Sequence, residues 1–481
     1  MLAVHSEAKQ NLKATFKETD LFKLYQTDSD LSTMELSDPE TASKMPSVLA
    51  LRDSLYTPEF REFVAEITGV QDLTDRVDCS INAYGRGCHL MTHDDVIGTR
   101  RVSYIIYFSE PEPKWEIKDG GLLELYPLAN EQEASSSSSS SSSSKKNKKN
   151  KNTSSTESSS VLSGIPAITP TACLCPAFNT MAMFVVQPGK SYHAVQEVRT
   201  DRHPRLSIQG WFHGPTKMKG SDQASLSQIM SGSLHNSLAP ALLLNHAAIH
   251  AAIPSSPSLT VEERDVLYLK EWLNPLYLKQ STIQTINTDF CANSSIQLGL
   301  FLKKDIAQRM TALTTDADGA FFASTAASQS NEIPRYSETF LNDGCWSVRG
   351  PPHMQRYATM NEEEHVEEEQ EEKGEKKNKN SKKSKKNKKN KKSKKKKRTE
   401  LSTLMHQLRE NVMRSAAFGR LLQRFTSLTP TQGTVECRRF RPGMDYTLAH
   451  YGMLTRVSQL DATLCFVDGK QFGSFFVLSL F

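Results

Sequence analysis

The segment THDDVIGTRRVSYIIYF, Thr92 to Phe108, sets a histidine and two aspartates directly ahead of an apolar run rich in β-branched and aromatic residues. Unpaired charge at the mouth of a buried strand is costly, so these groups need partners from elsewhere in the chain. His93 and Asp95 are two residues apart, and on an extended segment both side chains project to one face. Alone, such a pair reads equally as a turn or a polar strand edge. A third candidate, His193 in FVVQPGKSYHAVQEV, follows an apolar stretch and a Pro188-Gly189 turn. Two imidazoles and a carboxylate can hold a divalent metal while leaving part of its coordination sphere open.

The donor set does not choose the metal. Two histidines and a carboxylate form the facial triad of non-haem Fe(II) oxygenases, and zinc hydrolases also use it. The discriminating residue is Arg205, which heads the strand-like segment RLSIQGWFH, with Ser207 two residues later on the same face. A permanent charge there is justified if the planar guanidinium grips a carboxylate in a bidentate pair. Tyr107, late in the strand that follows His93 and Asp95, can add a phenolic hydrogen bond to the same anion. Cys173-x-Cys175 lacks a second pair at zinc-site spacing and reads as ordinary thiols. His203 and His213 flank the Arg205 strand without a spacing that joins them to His193, and His353 reads as structural or partner-facing.

The elements that must position these residues follow from periodicity. Ser47 to Val70 places apolar residues at helical spacings around a Thr57-Pro58 break, and the first 80 residues read as mostly helical. From Cys79 the period becomes that of strands: DCSINAYGRG, RVSYIIYFS, GGLLELYP, MAMFVVQP and RLSIQGWFHG are short, β-rich and separated by turn residues. Many short strands without intervening helices predict a sandwich or jelly-roll barrel. A serine/lysine tract at 129–162 interrupts the strands and cannot bury enough apolar surface to order itself. The expected organisation is a catalytic domain over 1–215, a polar linker over 216–257 and a second body over 258–481. That second body opens near the capping-box pattern Thr260-Val261-Glu262-Glu263 and is cut at 361–400 by an acidic/lysine-rich insertion.

Composition bounds the function. The 481 residues are 37% hydrophobic, enough for two or three cores. The formal charge of +5 hides five lysines in 145–151 and a net +8 over 361–398, which leaves −8 for the remainder. An acidic body with basic tethers is not a nucleic-acid-binding domain, and tracts without aromatic residues argue against specific RNA readout. They read as solvated tethers or as localisation signals. No window approaches the roughly 18 apolar residues of a membrane span, which predicts a soluble protein. Eight scattered cysteines and an opening MLAVHSEAKQ without a signal segment predict reduced thiols in the cytosol or nucleus.

His-x-Asp, a distant His and then Arg on the next strand is the order seen in 2-oxoglutarate-dependent dioxygenases, whose double-stranded β-helix agrees with the short-strand pattern. THDDVIGTRRVSYIIYF, SYHAVQEV and RLSIQGWFHGP resemble the intracellular prolyl 3-hydroxylase family that modifies a ribosomal small-subunit protein. The likeness continues through LYLKEWLNPLYLK, NSSIQLGLFL, VRGPPHMQRY and CRRFRPGMDYTLAHYG, and covers nearly the whole chain apart from the insertions. It implies that His93, Asp95 and His193 hold Fe(II), and that Arg205, helped by Tyr107 and Ser207, holds the far carboxylate of 2-oxoglutarate. It also implies L-ascorbate as a cofactor and 3-hydroxylation, or 3,4-dihydroxylation, of a prolyl residue in a small-subunit ribosomal protein, with effects on translation accuracy and termination. The expected location is nucleus and cytoplasm.

The fold so implied is mainly β with flanking helices (α+β): a jelly-roll catalytic domain and a second, degenerate β-helix that recruits substrate or partners, among them translation-termination factors or a transcription regulator. YGRGCHLMTHDD and FRPGMDYTLAHYG share a turn and a closing histidine. His450 is followed by Tyr451 and Gly452, so no iron is expected in the second copy. FGSFFVLSLF stops before the family's pattern closes its barrel, which predicts a truncated domain with an open sheet edge. The resemblance also implies a leading strand and helix that the start of this sequence is expected to lack. A rival reading makes the chain an oxygen-sensing regulator whose C-terminal body controls degradation of a transcription factor. A collagen-type prolyl 4-hydroxylase shares the motif, but the missing signal segment weighs against it.

Overall fold

The computed structural model describes residues 1–15, 27–30, 39–129, 164–222, 262–327, 334–339, 341, 343–362, 398–430, 433–441, 443–448, 460–466 and 475–480. Most of both expected insertions and of the linker, and His450, lie outside the described residues.

Helices α1 (Leu2–Thr15), α2 (Pro39–Ser43), α3 (Pro46–Leu55) and α4 (Pro58–Thr68) come first. The Thr57-Pro58 break is the start of α4: the Thr57 hydroxyl accepts from the Phe60 amide and Pro58 occupies a position that needs no N–H donor. Gly69 closes the helix at φ 75, in the left-handed region. A short strand β1 (Thr27–Asp30) breaks the helical reading of this region by pairing with β2 (Val77–Tyr84). Its sequence TDSD has no apolar alternation, so only the neighbouring backbone reveals it.

The strands then follow the expected order: β3 (Leu90–His93), β4 (Arg100–Tyr107), β5 (Leu123–Leu125), β6 (Ala172–Leu174), β7 (Thr180–Val185), β8 (His193–Val195) and β9 (Arg205–His213). They form two antiparallel sheets, a larger one in the order β1-β2-β9-β4-β7 and a smaller one in the order β3-β8-β5-β6. Period-two alternation divides the larger sheet. Cys79, Ile81, Ala83, Val102, Tyr104, Ile106, Leu206, Ile208 and Phe212 pack in one core with Val48, Leu55 and Val64 of the helices. The alternate residues face the smaller sheet, where Ile105 and Tyr107 meet Leu123. This jelly-roll arrangement leaves an interior lined by side chains from both sheets.

The second body has its own core, built on Leu269, Ile283, Phe290, Phe301, Phe418 and Phe476. Helices over Glu263–Leu269, Gln280–Asn293, Lys304–Ala327, Glu400–Gln407 and Ala416–Thr426 make it more helical than short-strand reasoning anticipates. A bidentate ion pair between buried Asp265 and Arg420 ties its first helix to its last. Two small antiparallel sheets complete it: β10 (Ser295–Gly299) with β16 (Phe475–Leu480) and β15 (Leu460–Cys465), and β11 (Trp346–Arg349) with β12 (Gln355–Met360), which also pairs β13 (Arg438–Arg439) and β14 (Tyr446–Thr447).

At Gly210, in mid-β9, an added Cβ would lie 1.8 Å from the Asp78 carbonyl oxygen and 2.6 Å from the Tyr104 hydroxyl. Backbone cannot yield as a flexible side chain can. Gly210→Ala should therefore cost about 1–3 kcal/mol or more of stability, read as a lower urea midpoint; an unchanged midpoint would show that β2 and β9 are not packed this closely.

Candidate active site

Register brings the two histidines together. β3 pairs with β8 with His93 opposite His193, and their rings sit 4.2 Å apart between centroids. Asp95 arrives differently from the expected extended His-x-Asp alternation. β3 ends at His93, and Asp95 lies beyond it at φ 60, a left-handed conformation that Asp tolerates better than most residues. The turn, not strand pleating, swings the carboxylate back so that Oδ1 lies 3.3 Å from His93 Nε2 and Oδ2 lies 3.3 Å from His193 Nε2. One donor atom from each of the three residues falls within 4.8 Å of the others, and no other such metal-competent group occurs among the described residues.

Second contacts orient each donor. His93 Nδ1 is 2.7 Å from the Met91 carbonyl and His193 Nδ1 is 2.9 Å from the Ser191 carbonyl. A carbonyl can only accept, so each Nδ1 donates to it, and each Nε2 faces Asp95, where it donates to the carboxylate when the imidazole is protonated and offers a lone pair to a metal when it is not. The Trp211 indole N–H donates to Asp95 Oδ2 at 2.9 Å, and the Arg100 guanidinium lies 3.4 Å over the Trp211 ring and 3.7 Å from Asp95 Oδ1. Asp94 joins the two ligand-bearing loops: its Oδ2 accepts from the Gly189 amide at 3.0 Å and its carbonyl from the Ser191 hydroxyl at 2.8 Å. Asp95 and His193 are buried, whereas the His93 side chain keeps 34% of its surface, so the group opens to solvent on the His93 side.

Electrostatics favour an ionised acid. Burial alone would raise the Asp95 carboxyl, but the hydrogen bonds and charge of His193 and His93 hold it well below the usual carboxylate range. Burial would lower the His93 imidazole, yet Asp95 raises it above the ordinary 6.5.

Arg205 heads β9 and is 1% exposed. Its Nε donates to the Gly121 carbonyl at 2.8 Å and its Nη1 reaches Ser207 Oγ at 3.4 Å, while Nη2 has no hydrogen-bond partner among the described residues. The Tyr107 hydroxyl is likewise buried and unpartnered. The guanidinium carbon lies 5.0 Å from the centroids of both the Tyr107 and the Tyr84 rings. Burial pushes the Tyr107 phenol up, with Arg205 opposing, so the hydroxyl keeps its proton and can donate. Gly121, at φ 66, is required because a Cβ there would stand 2.9 Å from Arg205 Cδ. A guanidinium and a phenol O–H that each hold a donor in reserve on a buried wall suit a carboxylate.

The structure thus brings His93, Asp95 and His193 together and, separately, Arg205, Tyr107 and Ser207. His213 stays apart, with Nε2 3.0 Å from Asp78 and Nδ1 2.9 Å from Thr99, and His203 lies edge-on to Trp115. Sequence reasoning missed Trp211, Arg100 and Asp94. Trp211 was within reach: it lies on the same strand face as Arg205 and Ser207 by period two.

The jelly-roll frame, the donor set and the buried cationic wall define a 2-oxoglutarate- and Fe(II)-dependent oxygenase. Residues 79–163 and 155–213 match the model of the 2OG-Fe(II) oxygenase superfamily, and residues 264–475 match that of the oxoglutarate and iron-dependent oxygenase degradation C-terminal region. The chain is 34% identical to prolyl 3,4-dihydroxylase OGFOD1 of Ostreococcus tauri, over 96% of this chain and 75% of that protein. It is 25% identical to prolyl 3-hydroxylase OGFOD1 of Mus musculus, over 62% of this chain but 43% of that protein. A crystal structure of a Pseudomonas putida prolyl-4-hydroxylase is 18% identical, with a TM-score of 0.26, covering 44% of this chain and 86% of that one. This chain belongs to the family of the prolyl 3- and 3,4-hydroxylases within the 2-oxoglutarate/Fe(II) oxygenases.

Trp211→Phe removes the indole donor to Asp95 while keeping an aromatic ring beneath Arg100. Losing such an orienting contact should weaken divalent-metal affinity by about ten- to a hundredfold with circular dichroism unchanged. Wild-type metal affinity in the folded variant would show that Asp95 is held without it.

Proposed function

We propose that this chain is a prolyl hydroxylase acting on a small-subunit ribosomal protein, with L-ascorbate maintaining turnover, in nucleus and cytoplasm. One observation carries the reading: three donors from two distant segments, His93 with Asp95 and His193, converge, while an arginine on the next strand holds a buried N–H in reserve. The residues fit Fe(II), since two neutral imidazole nitrogens and one ionised carboxylate, each fixed by a further hydrogen bond, are its facial ligand set. His93, Asp95 and His193 would hold the metal, and Arg205 with Tyr107 would hold the distal carboxylate of 2-oxoglutarate. When bound, the ferrous ion and its co-substrate supply oxygen activation coupled to decarboxylation to succinate.

The protein's own work is placement. Asp95 stays ionised, so it brings one negative charge to the metal without first losing a proton. Trp211 and the two backbone carbonyls prevent the donors from rotating away. The half-open His93 side is the approach for a prolyl ring, and the aromatic face of Phe184 against His193, 4.5 Å between centroids, walls the other side.

A second reading draws on the match of residues 264–475 to a model named for degradation. In it the second body controls turnover of a transcription regulator while the oxygenase domain senses oxygen. Mass spectrometry of small-subunit ribosomal proteins with and without the gene separates the two: a prolyl mass that stays constant favours the regulator.

Succinate formation with proline-containing ribosomal peptides, omitting Fe(II) in one arm and 2-oxoglutarate in another, tests the main reading. Both omissions should abolish succinate and the hydroxyl mass increment, and Asp95→Ala should abolish them with unchanged circular dichroism. Full residual turnover in Asp95→Ala removes that residue from the ligand set.

Metal binding should also depend on pH through His93. A protonated imidazole cannot ligate, and Asp95 raises the folded His93 above 6.5, so Mn(II) affinity should begin to fall at a pH above 6.5 as acid is added. In the metal-free protein the sign reverses: a raised pKa stabilises the fold below 6.5, and that contribution is lost as pH rises through the folded value. Titrations of the free Mn(II) electron paramagnetic resonance signal across pH check the first, and urea midpoints the second; affinity independent of pH over this range contradicts a His93 ligand.

A further inference from the structure

The smaller sheet has two faces, and period two assigns them to different tasks. His93 and His193 point inward with Leu123, while Thr92 and Tyr192, the residues just before them, point outward and meet the second body. Thr92 Oγ1 lies 3.4 Å from the Tyr446 hydroxyl, and the Tyr192 ring packs against His353 at 5.6 Å. Each metal-ligand histidine is therefore a direct chain neighbour of a residue whose side chain touches the other body.

Between these contacts lies a buried acid, phenol and guanidinium network. Glu124, on β5 beside Ala194, is 2% exposed and accepts from Gln196 Nε2 at 2.8 Å and from the hydroxyls of Tyr126 and Tyr336. Arg356 of β12, 5% exposed, donates to the Tyr126 hydroxyl at 3.1 Å and to the Met444 carbonyl at 2.7 Å, and stacks 3.5 Å over the Tyr336 ring. One acid from the metal-bearing sheet and one guanidinium from the second body thus share a phenol bridge in a water-excluded seam. Glu124 takes one of its hydrogen bonds from Tyr336 of the second body and Arg356 gives one to Tyr126 of the first, so each buried group would lose a partner if the bodies parted, which makes the two bodies interdependent.

We propose that the second body is a positioning element of the metal centre: gripping the outer face of the smaller sheet through Arg356 and Tyr446, it sets the spacing of His93 and His193. This rests on the metal-centre reading above. Arg356 and Tyr446 touch neither metal nor co-substrate; they act through β3, β5 and β8.

The test uses the full chain and free Mn(II) as probe, titrated by electron paramagnetic resonance, with amide exchange followed over residues 90–96 and 191–196. Arg356→Met should weaken Mn(II) affinity by roughly tenfold and speed exchange in both segments. Tyr446→Phe, the milder change, should move both readouts in the same direction, and it decides the matter if Arg356→Met does not fold. Glu124→Gln combined with Arg356→Met removes both buried charges and should recover part of the affinity. Phe418→Leu, in the separate core of the second body, should lower the melting temperature and leave Mn(II) affinity unchanged. Wild-type affinity and exchange in folded Arg356→Met and Tyr446→Phe overturn the proposal, as does an equal loss of affinity in Phe418→Leu, which would reduce the contact to general stability. Failure of the wild-type chain to bind Mn(II) overturns the metal-centre reading itself, and the proposal with it.

Discussion

The pairing of β3 with β8 is the constraint on which the rest depends. Backbone hydrogen bonds, indifferent to side-chain identity, set His93 opposite His193 across an antiparallel ladder. Everything else at the centre adjusts to that spacing. Asp95 takes a left-handed backbone so that each of its oxygens meets one imidazole, and Asp94, its chain neighbour, pins the Gly189 turn that delivers His193. A slip of either strand by one residue would turn its histidine outward. The β-bulge between Leu90 and His93 lets the end of β3 meet β8 in the required phase.

Charge placement follows the same economy. Asp95 is the only acid among the three donors, and two rings and an indole stabilise its ionised form in a buried setting. Arg205 stands on the larger sheet, across the interior, with no carboxylate in a salt bridge to it among the described residues. Its Nε and Nη1 are committed to Gly121 and Ser207, which fixes the plane of the guanidinium, and the remaining Nη2 joins the Tyr107 hydroxyl as a donor without an acceptor. Unsatisfied buried donors cost stability. Their retention at one wall, pre-oriented by a glycine that a methyl group would displace, is a cost that an anionic co-substrate would offset.

Much of this was legible in the sequence because its signals are local. The β-rich segments from Cys79 onward, the Thr57-Pro58 helix start and the His-x-Asp, His, Arg order each lie within a short window, and the structure puts strands and a helix at those segments. The inference that His93 and Asp95 share a face because the segment is extended was mistaken in its reason. An aspartate carries no sequence mark that it will adopt positive φ. Trp211 was overlooked although its strand phase matches that of Arg205, because a tryptophan near the end of an apolar strand reads as core. The helices of the second body were under-read because Lys304–Ala327, rich in Thr and Asp, lacks a clean apolar stripe.

What no local window can show is the seam between the bodies. Glu124, Tyr126, Tyr336, Arg356 and Tyr446 are scattered over more than 300 residues, and each alone reads as an ordinary strand or loop residue. Their meaning appears only when the acid and the guanidinium are found buried together. A sheet with catalytic residues on one face would ordinarily show solvent a polar, adaptable outer face. Here that face carries a buried glutamate, two buried tyrosines and Ala194, a surface that water would solvate poorly without its partner. The smaller sheet is short, with all four of its strands only three or four residues long and few ladder bonds to resist distortion. Rigidity that its own backbone cannot supply must come from packing on both sides: the larger sheet within, and the second body without.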